Sequence, residues 1–179
     1  MPHVLEPAPT GRAKCRGCGR AIAKGELRFG ELIPNPFAEG ETTLWFHPMC
    51  AAYKRPEAVL QRLAEGTPDV PDAAALERAA RGNVAQRRLP RIDGAERAPS
   101  GQAKCRQCKQ KIEKGAWRIK LVFFEEGRFA PSGSIHLDCR TDYFERHDVL
   151  APLLHFSPDL TDDERAELSR ACGADPGHA

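Results

Sequence analysis

Six of the seven cysteines fall into two matching arrangements, and each arrangement includes one histidine. In each, a Cys-x2-Cys pair is followed by His-x2-Cys after a gap of 28 residues in the first arrangement and 27 in the second. Three thiolates and one imidazole complete a tetrahedral zinc site that leaves no position for water or substrate. The sequence therefore predicts two structural Zn²⁺ ions. Their ligands are Cys15, Cys18, His47 and Cys50 in the first site and Cys105, Cys108, His136 and Cys139 in the second.

Two other interpretations of the cysteines remain open but explain less. A set of buried free thiols does not account for the histidine that recurs with them, and an iron–sulfur cluster fits a histidine-containing tetrahedral set less well than zinc does. Cys172 has no counterpart, because the residue 90 positions earlier is Gly82. A catalytic pair of Cys172 with His155 is the alternative to an inert cysteine on a helix face, which we favour.

The zinc ligands belong to a duplication of about 80 residues. A shift of 90 positions aligns residues 11–28 with 101–118 and residues 53–69 with 143–159, and the shift is 89 at the histidines. Since the repeat extends beyond the ligands, each copy is predicted to be a zinc module followed by helices. The fold class is therefore α+β, with two small zinc-stabilised modules, each a short antiparallel sheet with C-terminal helices.

Helix signals in both copies give the expected boundaries. Asp72 is the predicted N-cap of a helix over 73–81, and Thr161 with Glu164 forms the pattern of a capping box that opens a helix ending near Cys172. Residues 82–100 are polar, basic and rich in turn formers, which is typical of a linker. The predicted division is an N-terminal arm (1–10), the first module (11–81), a linker (82–100), the second module (101–172) and a tail (173–179).

Charge is unevenly distributed although the net charge is only +2. Residues 11–28 contain six Lys or Arg and one acid, residues 101–120 contain seven and one, and residues 159–179 contain six acids and two arginines. Locally basic surfaces of this kind are typical of modules that bind an anionic polymer. No membrane-spanning stretch or signal peptide is evident, so we expect a monomeric cytoplasmic protein whose cysteines stay reduced. Frequent Arg, Ala and Pro favour a GC-rich bacterial genome and hence association with the nucleoid.

Both copies resemble the PARP-type zinc finger, which occurs in poly(ADP-ribose) polymerases and in a DNA ligase. The first copy carries GRAKCRGCGRAIAKGELRFG, PNPF and WFHPMC, and the second carries GQAKCRQCKQKIEKGAWRIK and HLDC. The resemblance implies recognition of DNA nicks, gaps and ends by structure and not by sequence. It also implies that Arg12, beside the first cysteine, grips the DNA backbone, and that Arg28 and Arg118 contribute from the strand after the knuckle. The second copy has Gln102 in place of Arg12, so its grip is expected to be weaker.

A break in a duplex exposes the apolar face of a base pair, so a break sensor needs a basic surface and an apolar one. The loop before each His-x2-Cys is the expected place for the apolar surface, whereas Trp45 and Trp117 are expected in the core. The candidate phosphate contacts are Arg12, Lys14, Arg16 and Arg28 in the first copy and Lys104, Arg106, Lys114 and Arg118 in the second; the candidate stacking residues are Phe37, Leu44, Phe124 and Phe129.

Three function classes fit these features to different degrees. We favour a non-enzymatic, stand-alone protein that binds nicked, gapped or end-bearing DNA and that works with a DNA-repair protein. The alternative is an adaptor whose zinc-stapled modules bind protein partners. An enzyme such as a nuclease is disfavoured because closed zinc sites offer no reactive position, and neither a phosphate-binding loop nor a catalytic triad is evident.

Overall fold

The computed structural model describes residues 3–66, 70–86, 88–146 and 148–173. The chain divides into two compact units. The first consists of Met1–Arg87 with Phe124–Ala130, and the second of Arg88–Phe123 with Pro131–Ala179. Each unit contains a three-stranded antiparallel sheet and helices, which confirms the predicted α+β class. Within the described ranges, no helix combines the length and the apolar character needed to cross a bilayer.

The first unit begins with its sheet and ends with its helices. Its buried core is made largely of apolar side chains from the second and third strands and the first two helices, among them Phe29, Phe46 and Val59. Prolines occupy the first position of two helices, where a missing N–H has no partner to lose. The elements are β1 (Val4–Pro7), β2 (Leu27–Pro34), β3 (Glu41–Phe46), α1 (Pro48–Lys54), α2 (Pro56–Ala64) and α3 (Ala73–Val84), and the strand order is β1-β2-β3.

The second unit repeats this order with shorter helices. Its core is a single apolar cluster that includes Trp117, Ile119, Leu153 and Leu168. The elements are β4 (Arg91–Arg97), β5 (Trp117–Glu125), β6 (Arg128–His136), a 3₁₀ turn (Leu137–Cys139), α4 (Arg140–Phe144), α5 (Leu150–His155) and α6 (Asp162–Ala171), and the strand order is β4-β5-β6.

The predicted start of the helix in the second copy is confirmed in full, whereas the prediction for the first copy is only partly correct. The Thr161–Glu164 capping box is formed in both directions, and α6 ends with Cys172 as its C-cap, as predicted. Asp72 does precede α3, but its backbone is left-handed (φ 56°) and its side chain caps no N–H group. The helix also continues to Val84, three residues beyond the predicted end, because Leu76, Ala80 and Asn83 keep one face buried.

The segments interpreted as an arm and a linker each contain a strand. β1 lies within residues 1–10, and β4 lies within residues 82–100. A β-bulge between Ile92 and Ala95 breaks the alternation of β4, which conceals the strand in the sequence. Gly94 makes the bulge possible: its φ is +105°, and a Cβ there would lie 2.5 Å from the carbonyl oxygen of Phe156. The structural repeat therefore starts before the zinc modules.

Candidate metal centres and nucleic-acid surface

The first predicted ligand set converges on one point. The ligand atoms of Cys15, Cys18, His47 and Cys50 all lie within 4.8 Å of one another. The Sγ of Cys18 is 3.4 Å from Nδ1 of His47, close to the edge of about 3.6 Å that Zn–S and Zn–N bond lengths give for a tetrahedron. The two elements that meet here are the knuckle that carries Cys15 and Cys18 and the start of α1, for which His47 is the N-cap.

The second ligand set has the same geometry. The ligand atoms of Cys105, Cys108, His136 and Cys139 also lie within 4.8 Å of one another. Nδ1 of His136 is 3.3 Å from the Sγ of Cys108 and 3.9 Å from that of Cys139. In both sites the backbone N–H of the histidine donates to the Sγ of the first cysteine at 3.3 Å. Repetition of this bond shows that the local fold, and not a chance cluster, sets the ligand positions.

The second nitrogen of each histidine is also occupied, which leaves Nδ1 to face the metal. Nε2 of His47 lies 3.6 Å from a carboxylate oxygen of Glu26, and Nε2 of His136 lies 2.9 Å from the carbonyl oxygen of Lys111. The hydrogen-bond distance at His136 fixes the tautomer and the orientation of a metal-bound imidazole, whereas the contact at His47 is electrostatic. The residues thus fit zinc in donor type, number and spacing, and the chain has two Cys₃His zinc-binding sites.

The thiols of the first set do not ionise independently. Hydrogen bonds from Cys15 and Cys50 lower the pKa of Cys18, whereas the neighbouring Cys15 and Cys18 raise the pKa of Cys50. Contact with Cys15 and Cys18 raises the pKa of His47 to about 10. Without a cation, some of these groups therefore keep their protons because three adjacent thiolates repel one another. A divalent ion removes that repulsion, so its binding is coupled to deprotonation and to folding.

Two cations that are not among the predicted site residues lie beside the first zinc site. Arg20 hydrogen-bonds Cys18, and this contact raises the arginine pKa. Lys54 is buried, and its Nζ donates to the carbonyl oxygen of Gly17 at 2.6 Å. Three thiolates and one Zn²⁺ carry about one net negative charge, which these cations offset. The sequence places Lys54 in an ordinary helical position, so it gives no sign that this lysine is buried.

Gly17 is confined by the close approach of the knuckle to α1. A Cβ at this position would lie 2.8 Å from the Cβ of Cys50, closer than real Cβ contacts come. The second copy has Gln107 at the equivalent position, so its knuckle does not reproduce this close approach. The two zinc sites thus have ligands of the same types, but they differ in how closely the knuckle approaches the helix that follows.

Most of the predicted phosphate contacts lie on the surface. Arg12, Lys14 and Arg16 are exposed on and just before the first knuckle. In the second unit Lys104, Arg106 and Lys114 are likewise exposed, and the guanidinium of Arg106 donates to the backbone oxygen of Ser132 at 2.7 Å. These side chains are accessible to a ligand, and their contacts with DNA stay a prediction.

Arg28 and Arg118 differ from the other candidates because both are already paired. Arg28 is 8% exposed; it donates to Glu6 across β1 and β2, and its guanidinium lies 3.4 Å from the ring centroid of Trp45. Arg118 repeats the pairing with Glu96 across β4 and β5. Each arginine therefore joins two strands of its own sheet. A contact with phosphate, which stays a prediction, would compete with these internal partners.

The loop between β2 and β3 presents one aromatic ring to solvent. Oδ1 of Asn35 accepts a hydrogen bond from the backbone N–H of Phe37 at 2.9 Å, and this turn leaves the phenyl ring 87% exposed. Phe37, Arg16 and Leu44 line one cavity of about 240 Å³, with Leu44 only 4% exposed. The structure thus brings together an exposed ring and a cation of the predicted DNA surface, whereas Leu44 is buried in the core.

The other aromatic candidates are partly covered. Phe124 and Phe129 both belong to the first unit, their ring centroids lie 5.0 Å apart, and Phe129 meets the buried ring of Phe46 edge-on at 6.3 Å. Each ring retains only part of its surface for a base, and stacking by either one stays a prediction. Trp117 is buried as expected, whereas Trp45 is half-buried beneath Arg28.

Cys172 lies at the end of α6 and packs against the apolar cluster of the second unit. Burial raises the pKa of its thiol, although the charge of Arg140 opposes the shift. A raised pKa leaves less of the nucleophilic thiolate at neutral pH, so the environment fits an inert, packed side chain.

Comparison with known proteins places this architecture in a family. Residues 6–87 match the model of the "Poly(ADP-ribose) polymerase and DNA-Ligase Zn-finger region". Poly(ADP-ribose) polymerase 1 of Gallus gallus is 31% identical over 156 residues, which is 77% of this chain and 15% of the relative. The enzyme of Sarcophaga peregrina is 28% identical over 142 residues (70% and 14%), and that of Xenopus laevis 30% over 161 (80% and 16%).

These relatives are animal proteins, so the matches give no support to a bacterial origin. The chain spans about 15% of the length of the Gallus gallus relative. The match to that relative covers 77% of this chain, whereas the family model covers only residues 6–87. The spacing of the ligands, the closed Cys₃His geometry in both units and these matches lead to one conclusion. The chain belongs to the PARP-type zinc-finger family and carries the finger in tandem.

Proposed function

We propose that the chain binds DNA at strand breaks (nicks, gaps and ends), recognising the structure of the break and not its sequence. The observation that carries this proposal is the 87% exposed ring of Phe37, which shares a cavity with the cation of Arg16 in a zinc-stapled unit. A ring this exposed adds little to the stability of the fold, and its face is open for stacking on a base.

The chemistry of a break matches these two features. An intact duplex stacks every base pair, so a protruding ring finds no apolar partner there. At a nick the stack can open, and the exposed base-pair face can then meet Phe37 while Arg12, Lys14 and Arg16 contact the continuous backbone. The backbone contacts supply affinity for any duplex, and the ring supplies the preference for a break.

The proposed role is binding and not catalysis. Both zinc sites use all four tetrahedral positions for protein ligands, which leaves none for a reacting group. The relatives are named as poly(ADP-ribose) polymerases, yet this chain matches only about 15% of the length of the Gallus gallus enzyme. We therefore propose that the chemistry at the break comes from a DNA-repair enzyme, whether a separate protein or another region of a longer chain.

The decisive test compares one DNA circle in two covalent states. The zinc-loaded protein is titrated against a small closed circle, relaxed to remove supercoiling, and against the same circle carrying a single nick. We expect tighter binding to the nicked circle, with affinities for both that fall as salt is raised because each phosphate contact displaces counterions.

The outcomes separate the two parts of the proposal. Equal affinity for both circles would refute break recognition and leave general DNA binding. No binding to either circle at low salt, with two zinc ions per chain verified on the same sample, would refute DNA binding altogether.

A further inference from the structure

A small apolar groove opens on the first unit and is lined by none of the residues that line the cavity of Phe37. It lies between the start of β2 and the start of α3, next to the zinc ligand His47, and has a volume of about 250 Å³. That is below the range of roughly 300–1,000 Å³ typical of small-molecule pockets, so the groove fits a single large side chain better than a cofactor. The residues that define it are Leu27, Met49, Val70, Asp72, Ala75 and Leu76.

The second unit shows which side chain fits this position. Leu27 is the first residue of β2 and pairs with Pro7; at the same register Trp117 is the first residue of β5 and pairs with Arg97. The indole of Trp117 is 9% exposed and packs in one cluster with Leu168 of α6, the helix that corresponds to α3. In the second unit the indole of Trp117 therefore occupies the position that is an open groove beside Leu27 in the first unit.

The surroundings of Trp117 also indicate the charge of a ligand. The guanidinium of Arg97 lies over the indole at 4.3 Å from its centroid and forms an ion pair with Glu167 on α6. The first unit has Pro7 where the second has Arg97, so it lacks this cation. Asp72 lines the groove, whereas Glu77 of α3 already forms an ion pair with Arg81. The carboxylate of Asp72 thus gives the rim a negative charge that complements a cation.

We propose that this groove binds a tryptophan side chain of a partner protein, presented next to a basic residue. The partner's indole would take the position that Trp117 occupies in the second unit, and its cation would face Asp72 as Arg97 faces Glu167. Tryptophan and arginine are the side chains that most often carry binding energy when they enter a desolvated pocket. The groove shares no lining residue with the cavity of Phe37, so the proposal does not depend on DNA binding.

The first test uses a short peptide and the full zinc-loaded chain. An acetylated and amidated Gly-Arg-Trp-Gly peptide is titrated into ¹⁵N-labelled protein up to millimolar concentration. We expect amide shifts confined to Met49, Ala75 and Leu76 and their neighbours, and binding weakened about tenfold or more when alanine replaces the peptide's tryptophan. Replacement of its arginine by glutamate is also expected to weaken binding, since the rim is acidic.

The second test fills the groove from inside. In Leu27→Trp the protein supplies its own indole, as the second copy does, so the peptide shifts should disappear while the zinc content and nicked-DNA affinity stay unchanged. The added burial is expected to raise the Tm by about 2–4 °C. Leu27→Met is the matched control: it conserves volume and leaves the groove open, so it should bind the peptide like the wild type.

Three results would overturn the proposal. They are the absence of shifts at millimolar peptide, shifts centred on the loop around Phe37, and undiminished peptide binding by Leu27→Trp. If Leu27→Trp fails to fold, Ala75→Arg serves instead, because Ala75 lines the groove and a long cation there both narrows it and repels the ligand. Full peptide affinity in a folded Ala75→Arg protein would equally refute the assignment.

Discussion

Replacement of Phe37 by alanine separates binding from stability more cleanly than any other single change in the first unit. The ring is 87% exposed, so its loss should alter the free energy of unfolding by no more than about 0.5 kcal/mol. Stacking of one base on an aromatic side chain contributes about 1–3 kcal/mol. Phe37→Ala should therefore weaken binding to nicked DNA roughly 5- to 150-fold at 25 °C. Affinity for the closed duplex should remain unchanged.

The assay is fluorescence anisotropy with a labelled nicked hairpin and its ligated counterpart, with thermal unfolding measured on the same samples. Phe37→Trp is the positive control, because a larger π surface keeps or improves stacking. Phe129→Ala is the contrasting variant: its half-buried ring packs on Phe46, so the loss should appear in the Tm. If Phe37→Ala binds nicked DNA as tightly as the wild type while its Tm is unchanged, the ring has no part in recognising a break.

Three further changes test the zinc sites, the backbone grip and a buried ion pair. Chelation should unfold both units and abolish DNA binding, and stoichiometric zinc should restore both, as followed by circular dichroism; native-like signal after complete zinc removal would contradict this. Arg12→Ala should reduce the slope of log K against log salt by about one, whereas Gln102→Ala should leave it unchanged; equal slopes for both would disprove the unequal grip. Arg55→Ala should destabilise the first unit by about 3–5 kcal/mol in urea, because it leaves the buried carboxylate of Glu31 without its partner, and a further Glu31→Leu change should recover most of the loss. No recovery in the double variant would show that the effect of Arg55 is not electrostatic.

The zinc sites could be predicted completely because their signal is local and repeated. The order Cys-x2-Cys then His-x2-Cys fixes both ligand type and geometry, and the structure confirms all eight ligands. The Thr161–Glu164 capping box is local in the same sense, and it too is confirmed. The capping box and each half of a ligand set span only four residues, and the repetition of the whole pattern pairs the two halves, so no knowledge of tertiary packing is needed.

Two features that sequence reasoning missed depend on contacts between distant segments. β4 is concealed by a bulge that exists because the backbone at Gly94 approaches Phe156, 62 positions away. The pairing of Arg28 with Glu6 spans 22 positions, so a basic residue on a strand was interpreted as a phosphate contact although its guanidinium already had a partner. Charge type can be read from a sequence, but whether a charge is free to meet a ligand is decided by tertiary contacts.

The two copies have diverged most in groups that the fold does not require. Glu31 in the first unit has a side chain only 4% exposed and receives both Nε and Nη2 of Arg55. The equivalent residues of the second copy are Leu121, which is buried, and Glu145, which is exposed. A buried ion pair rarely gives more stability than an apolar pair of similar volume. The second copy has a buried leucine in place of the buried carboxylate, so the fold itself does not require this ion pair.

The same reasoning applies to the lysine under the first knuckle. Lys54 donates to the carbonyl of Gly17, whereas the second copy has the buried Phe144 at the equivalent position. The hydrogen bond ties α1 to the short segment that carries Arg16, one of the exposed cations beside the cavity of Phe37. A phosphate contact benefits from a cation whose backbone is already fixed, since less entropy is lost on binding. We therefore expect the first copy to contribute more than the second to the proposed DNA binding, which agrees with its possession of Arg12 where the second has Gln102.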